Sequence, residues 1–212
     1  MPNRTICLIN DSFPPVTDGV ANAVVNYARV ITESGSTAVV ATPAYPGADD
    51  SALGFPVVRY PSIDMTKLVG YHAGFPFSEK TMKTLMEYPF DLIHCHCPIT
   101  SAVLARELRS RIHVPTVFTY HTKFDIDIAN AIHAKLLQEG AKKLLVDNIS
   151  AFDEVWTVSR GAGEISTAFG LNQSFADILS GIIIFFIIGC EFFITYRLSF
   201  RKPAKKEAAE HV

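Results

Sequence analysis

Residue types that could do chemistry occur in five short clusters of this chain, and each cluster lies at or shortly after a run of strand-forming residues. The clusters are residues 11–20, 94–98, 120–122, 125–127 and 159–161. In an open α/β sheet, the carboxyl ends of the strands form the edge at which ligands bind. The position of the clusters therefore indicates a ligand site along one edge of a sheet.

The first cluster is a loop that opens a predicted helix and contains Asp18 and Gly19. Backbone N–H groups at a helix N-terminus attract a phosphate or another anion, and a glycine there allows a close approach. The loop lacks the GxGxxG dinucleotide pattern, and no P-loop lysine follows it. On spacing alone, anion binding and an ordinary strand–helix loop remain equal alternatives.

Alternating histidines and cysteines follow the fourth predicted strand, in the segment His94-Cys95-His96-Cys97. This composition suggests zinc, but successive side chains of an extended chain point to opposite sides. The two histidines are therefore expected on one side and the two cysteines on the other, so that four ligands cannot converge on one ion. We expect buried thiols and a histidine at the rim of the cleft, without a metal.

His121 follows the next predicted strand and is expected to project into the cleft. A neutral imidazole can donate to or accept from a substrate hydroxyl, although a structural histidine is an equal alternative from the residues alone. Asp125 and Asp127 have the spacing of a metal-binding DxD pair. Because acidic residues also commonly begin helices, we expect a helix start there.

Short β-branched runs alternate with segments of helical period over residues 1–160, which predicts an α/β fold with one Rossmann-like, doubly wound parallel sheet. Six strands are predicted, at Thr5–Ile9, Thr37–Ala41, Val57–Tyr60, Leu92–His94, Thr116–Tyr120 and Glu154–Val158. Helices are predicted at residues 20–31, 79–88, 101–111 and 127–146. Thr17 or Asp18 can cap the first helix, and Gly35 is placed to end it in the left-handed conformation.

Composition limits the partners and the compartment of this domain. The net charge of −2, from 19 basic and 21 acidic residues, gives no reason to expect nucleic acid as a partner. The four cysteines are expected to be reduced, buried thiols rather than a disulfide framework. They are Cys7, Cys95, Cys97 and Cys190. We therefore expect the globular part to work in the cytosol.

The composition changes after Glu164. Residues 178–196 form a 19-residue apolar stretch with Glu191 as its only charge. Such a stretch is long enough to cross a hydrocarbon core of about 30 Å as a helix, and a buried core helix is the alternative. The basic tail, residues 197–212, favours the cytoplasmic side. A single-pass membrane protein is predicted, although this topology would place the cytosolic domain outside the cell.

Four segments, taken together, resemble the N-terminal half of a family 4 glycosyltransferase, and the resemblance covers residues 1–164. The segments are INDSFPPVTDGVANAVVNYARVI, DLIHCHCPIT, VFTYHTKFD and FDEVWTVSRGAGE, in this order. The resemblance implies the two-domain GT-B architecture and retaining transfer from a nucleotide sugar, with no metal or other cofactor. It also allows a lipid acceptor, because several members that share the YHT stretch glycosylate lipids at a membrane surface.

The same resemblance implies roles for particular residues. Gly19 would approach the diphosphate of the donor, and His121 would contact the transferred sugar near the reacting centre, as the catalytic histidine. Asp18, His96 and Arg160 would lie at the cleft as binding residues.

The family's C-terminal donor domain does not follow. Residues 165–212 instead resemble the last transmembrane helix and tail of a sugar- or nucleoside-type ABC transporter permease, with residues 165–177 as the junction. Three hypotheses follow. The chain is a truncated transferase with only the acceptor-side domain and little or no activity, or an anchored transferase that uses a donor domain from another chain. Alternatively, it is a non-catalytic, membrane-tethered binding module or permease remnant.

Overall fold

The computed structural model of the chain describes residues 3–66, 72–121 and 135–158. In chain order, the elements are β1 (Thr5–Ile9), α1 (Gly19–Glu33), β2 (Thr37–Pro43), β3 (Val57–Tyr60), β4 (Ser62–Asp64), β5 (His72–Gly74), α2 (Glu79–Met86), β6 (Leu92–Cys95), α3 (Thr100–Ile112), β7 (Thr116–Tyr120), α4 (Lys135–Ile149) and β8 (Glu154–Thr157).

The main sheet has six parallel strands in the order β3-β2-β1-β6-β7-β8. This order confirms the predicted α/β fold with a doubly wound parallel sheet. It reverses at β1, which pairs with β2 on one side and with β6 on the other. Loops leave the carboxyl ends of β1 and β6 in opposite directions, and the crevice between them is the place where ligands of such sheets bind.

Each face of the sheet is covered by helices. On one face, Val24 and Ala28 of α1 pack against Leu8 and Val40 of the sheet. On the other face, α2, α3 and α4 cover a larger core that includes Leu85, Leu104 and Ile149. The strands are apolar on both sides because both faces are covered, as expected for a parallel sheet.

Helix α1 begins and ends as its sequence predicts. The Asp18 side chain accepts a hydrogen bond of 2.7 Å from the backbone N–H of Ala21, so Asp18 rather than Thr17 is the N-cap. At the other end, Gly35 has φ +83°, and its N–H donates to the carbonyl of Thr32. This left-handed glycine ends the helix without strain.

The structure adds two short strands that the sequence did not reveal. Strands β4 and β5 form a separate antiparallel pair beside the end of β2. Each of them is only three residues long, which is too short for a recognisable alternation of apolar and polar residues. The other differences are small: β2 and β6 continue one or two residues beyond their predicted ends, and β8 stops one residue before its predicted end. Helix α2 ends two residues early and α4 ends three residues late.

Several predictions lie outside the described residues. These are the DxD pair, the start of the helix predicted at 127–146, Arg160, and everything from the junction to the basic tail. Among the described helices, none has the length and apolar character that a membrane crossing requires.

Candidate active site at the switch point of the sheet

The loop between β1 and α1 is held firmly against the sheet. Phe13 is fully buried in the core beneath α1. Arg59 of β3 donates to the carbonyl of Pro14 at 2.6 Å and to that of Pro43 at 3.2 Å, while its guanidinium also binds both carboxylate oxygens of Asp50. The loop therefore presents the start of α1 from a fixed position.

Asp18 and Gly19 lie exposed at the start of α1. A Cβ built on Gly19 would have no protein atom within 4 Å. The space in front of this glycine is therefore open, and a bound group could approach the backbone there. The positive end of the helix dipole at this position favours an anion.

Asp11 binds the N-terminus of α3, the other helix that begins at this edge. Its carboxylate is buried, with 4% of the residue exposed. It accepts from the backbone N–H groups of Thr100 at 3.2 Å and Ser101 at 2.9 Å, and from the hydroxyls of Thr100, Ser101 and Tyr60. This buried carboxylate takes both backbone N–H groups at the start of α3 and closes that helix end to a ligand. At the start of α1, the Asp18 side chain accepts, among the described groups, only from the N–H of Ala21 and the helix end is exposed, so it is the more accessible anion site of the two.

The sequence analysis assigned no role to Asp11. Its partners in α3 lie about 90 positions further along the chain, so no local pattern reveals the contact. The signal that was present is an acidic residue just after the first strand, together with a Thr-Ser pair that starts a later helix.

We expect Asp11→Asn to lower the free energy of unfolding by about 2 to 4 kcal/mol, because the amide loses the charge and turns a donor toward groups that also donate. Chemical denaturation followed by fluorescence would measure the loss. Asp49→Asn is the matched control, since Asp49 is an exposed carboxylate that accepts from the N–H of Ser51. This variant should have the same midpoint of unfolding as the native protein. Equal midpoints for the two variants would contradict the role given to Asp11.

Three histidines form a continuous cluster on the α1 side of the sheet. His94 and His96 stack with their ring centroids 4.1 Å apart, and His96 Nδ1 lies 2.9 Å from His121 Nε2. Tyr27 of α1 lies over both buried rings, at 5.5 Å and 5.4 Å. His94 Nε2 is 2.7 Å from the hydroxyl of Thr119. The cluster thus connects the core with the half-buried ring of His121 at the cleft.

These imidazoles are neutral at pH 7. Burial lowers the pKa of His94 to about 3 and that of His121 to about 4, although the nearby Asp18 carboxylate acts in the opposite direction on His121. Burial also lowers the pKa of His96 well below its usual value. The influence of Asp18 shows that the start of α1 and His121 belong to the same region.

The neighbouring cysteines face the other side of the sheet. Cys95 lies in the core beneath α2 and α3, away from the histidines, and burial raises the pKa of Cys7, Cys95 and Cys97. The alternation expected from the sequence is confirmed, and these three thiols are free and buried. Among the described residues, no group of three or more histidine, cysteine, aspartate or glutamate side chains is arranged so that it could hold a metal ion.

The structure thus brings Asp18, Gly19, His96 and His121 to one edge of the sheet. His96, which the resemblance places at the cleft, is fully buried and lies behind His121, to which it is hydrogen-bonded. Arg160 lies outside the described residues.

A second concavity lies at the opposite, amino-terminal edge of the sheet. It has a volume of about 670 Å³, and Arg106, Arg109 and His113 line it. Arg109 is bound to Asp153 and to a backbone carbonyl, and Arg106 donates to Asn148. These arginines are already engaged, so this groove offers less to an anion than the start of α1.

The doubly wound parallel sheet defines a Rossmann-type domain. At its switch point lie a neutral histidine and an open helix N-terminus, and the helix N-terminus favours an anionic ligand. The chain belongs to glycosyltransferase family 4, and residues 17–178 match that family.

Two curated relatives carry the same name, "GDP-mannose-dependent alpha-mannosyltransferase". The one from Corynebacterium glutamicum is 26% identical over 120 residues, which is 55% of this chain and 29% of that protein. The one from Mycobacterium tuberculosis is 28% identical over 121 residues, which is 55% of this chain and 32% of that protein. The matched part of the chain spans less than a third of the length of each relative.

Proposed function

We propose that this chain is the acceptor-side half of a family 4 glycosyltransferase, which transfers a hexosyl group from a nucleotide sugar to an acceptor. Membership of the family implies such a donor and such an acceptor. The observation that carries the proposal is that the open start of α1, at Gly19, and the neutral ring of His121 lie at the same carboxyl edge of the sheet, where the Asp18 carboxylate is close enough to raise the pKa of His121. Gly19 approaches the diphosphate, and His121 contacts the transferred sugar.

The donor in this proposal is GDP-mannose. Its support is the name that both curated relatives carry. The chemistry of the described edge agrees with a nucleoside diphosphate, because backbone N–H groups at a helix start bind phosphate oxygens. Asp18, His96 and Arg160 take part in binding at the cleft, and a lipid is one acceptor that fits the resemblance to lipid-modifying members.

The chain alone is proposed to have little or no activity. Transfer requires groups that stabilise negative charge on the departing nucleotide. Arg59, on the strand next to β2, is held by Asp50 and by two backbone carbonyls, so its guanidinium is not available for this task. The remaining groups would come from a donor-binding half on a separate chain.

A chimera tests this function directly. Residues 1–164 would be joined to the C-terminal half of the C. glutamicum relative, and release of GDP from GDP-mannose would be measured. We expect His121→Asn to lower turnover by about 100-fold, as for the loss of one transition-state hydrogen bond. The matched control is His113→Asn, an exposed histidine at the opposite edge. Equal turnover of the two variants would rule out the role of His121.

The tail gives rise to a separate proposal. Residues 165–177 are a junction and residues 178–196 anchor the chain in a membrane, with residues 197–212 in the cytoplasm. The family match extends to residue 178, past residue 164 and through the proposed junction, so it gives no support to a change of origin before the apolar stretch. A single DNA molecule read through the codons for residues 156–186 would show both parts together; two separate loci would overturn the proposal.

A further inference from the structure

His96 and His121 share a hydrogen bond at the switch point, and the structure indicates which of the two rings donates the proton. His96 Nδ1 and His121 Nε2 lie 2.9 Å apart. Both rings are neutral, since burial lowers both pKa values, and a neutral imidazole has one N–H and one bare nitrogen. One ring must therefore donate to the other.

The second nitrogen of His96 distinguishes the two arrangements. His96 Nε2 is buried, and none of the described residues supplies it with a hydrogen-bond partner. If His121 donates, His96 carries its proton on Nε2 and leaves a buried N–H unpaired. If His96 donates from Nδ1, Nε2 is only an unused acceptor. Buried unpaired N–H groups are the rarer and more costly of the two.

We propose that His96 is a positioning residue that donates its Nδ1–H to Nε2 of His121 and thereby fixes the proton of His121 on Nδ1. His121 then offers the cleft a hydrogen-bond donor and not an acceptor. This rests on the proposed function, in which His121 contacts the sugar, and it deepens that role: the partner atom on the sugar is an oxygen that accepts.

The surroundings of His96 hold its ring with Nδ1 facing His121. His94 stacks on one side at 4.1 Å and is itself tied to Thr119. Tyr27 of α1 lies 5.4 Å away. Strands β6 and β7 are hydrogen-bonded neighbours, so the two histidines that follow them are kept at a fixed separation. A ring confined in this way keeps Nδ1 toward His121 and Nε2 in the buried interior, so the direction of the hydrogen bond depends on the tautomers alone.

The test is a direct reading of the tautomers in the intact chain. The full-length protein would be labelled with ¹⁵N-histidine, and two-bond ¹H–¹⁵N correlations would be recorded at pH 7 without any substrate. We expect the Nδ1–H form of His121 to exceed the Nε2–H form at least about tenfold. A predominance of the Nε2–H form in the native protein would overturn the proposal, whether or not any variant folds.

Two substitutions add a readout that a merely structural role would not change. His96→Leu removes the donor, and His121 should then return to the Nε2–H form that a free imidazole prefers. His96→Asn keeps an N–H near the position of Nδ1 and should restore the Nδ1–H form. Unchanged signals of His72 and His113 would show that the fold is retained. An unaltered His121 tautomer in the leucine variant would contradict the proposal. The spectra are recorded without a nucleotide sugar or a sugar acceptor, so failure of the proposed transferase function would not affect this result.

Discussion

Acidification from pH 6.5 to pH 5 is expected to destabilise the protein steeply, by up to about 4 kcal/mol per pH unit. Burial holds the pKa of His94 at about 3 and that of His121 at about 4, and it keeps the pKa of His96 well below 6.5. The unfolded chain takes up a proton at each of these histidines below pH 6.5, whereas the folded chain does not. Stability is therefore complete above pH 6.5 and is lost as the pH falls through this window.

Other titratable groups either change charge outside the range from pH 6.5 to pH 5 or oppose the loss of stability within it. The Asp18 carboxylate raises the pKa of His121 and so reduces its share. Tyr27, which faces both buried rings, has a raised pKa because of its burial and stays neutral throughout. Hydrogen bonds from Thr5 and Arg4 lower the pKa of Asp91 below its usual 3.8, so the contribution of this carboxyl is lost only at more acidic pH.

Urea unfolding between pH 7 and pH 5 would measure this slope. Trp156 is the single tryptophan of the chain, and its ring lies 5.3 Å from that of His94, so its fluorescence reports on the cluster. His121→Asn should reduce the slope by about 1.4 kcal/mol per pH unit. A free energy of unfolding that stays constant over this range would show that the histidines are not held neutral by the fold.

Turnover of the chimera is expected to fall about 100-fold on Gly19→Ala, while the fold is retained. A Cβ at this position meets no protein atom within 4 Å, and alanine stabilises a helix relative to glycine by about 1 kcal/mol. Stability should therefore stay the same or increase. Only a ligand that approaches the backbone would meet the added methyl group.

Gly140→Ala is the control for this experiment. Gly140 lies in α4, is exposed, and also has open space around its Cβ position. The two variants add the same methyl group to a helix, so their midpoints of unfolding should change in the same direction. Equal turnover of both variants would show that the donor does not approach Gly19.

The fold was predictable because most of its strands and helices show a local pattern of apolar and polar residues. The β-branched runs marked all six strands of the main sheet, and the stripe that includes Val24 marked α1, with a cap at Asp18 and a left-handed end at Gly35. The β4–β5 pair was missed because three-residue strands leave no period to detect. Three strand ends were off by one or two residues: β2 and β6 continue beyond the predicted end, and β8 stops one residue before it.

The candidate site was predictable only in part. The edge of the sheet was identified because Gly19 and His121 follow predicted strands, which places them at carboxyl ends. The burial of His96 and the binding of Asp11 to the start of α3 were not predictable, because both depend on residues far apart in the chain. Such contacts are fixed by how strands and helices pack, and a single sequence does not display them.

The central claim is that this chain holds one half of a transferase site, and the most direct test is GDP release from GDP-mannose by the purified full chain. The chimera, assayed in parallel, would show that the substrates and conditions support transfer. We predict that the full chain releases no GDP above spontaneous hydrolysis while the chimera turns over. Release by the full chain at a rate like that of the chimera would contradict the account, because the donor site would then lie within these 212 residues.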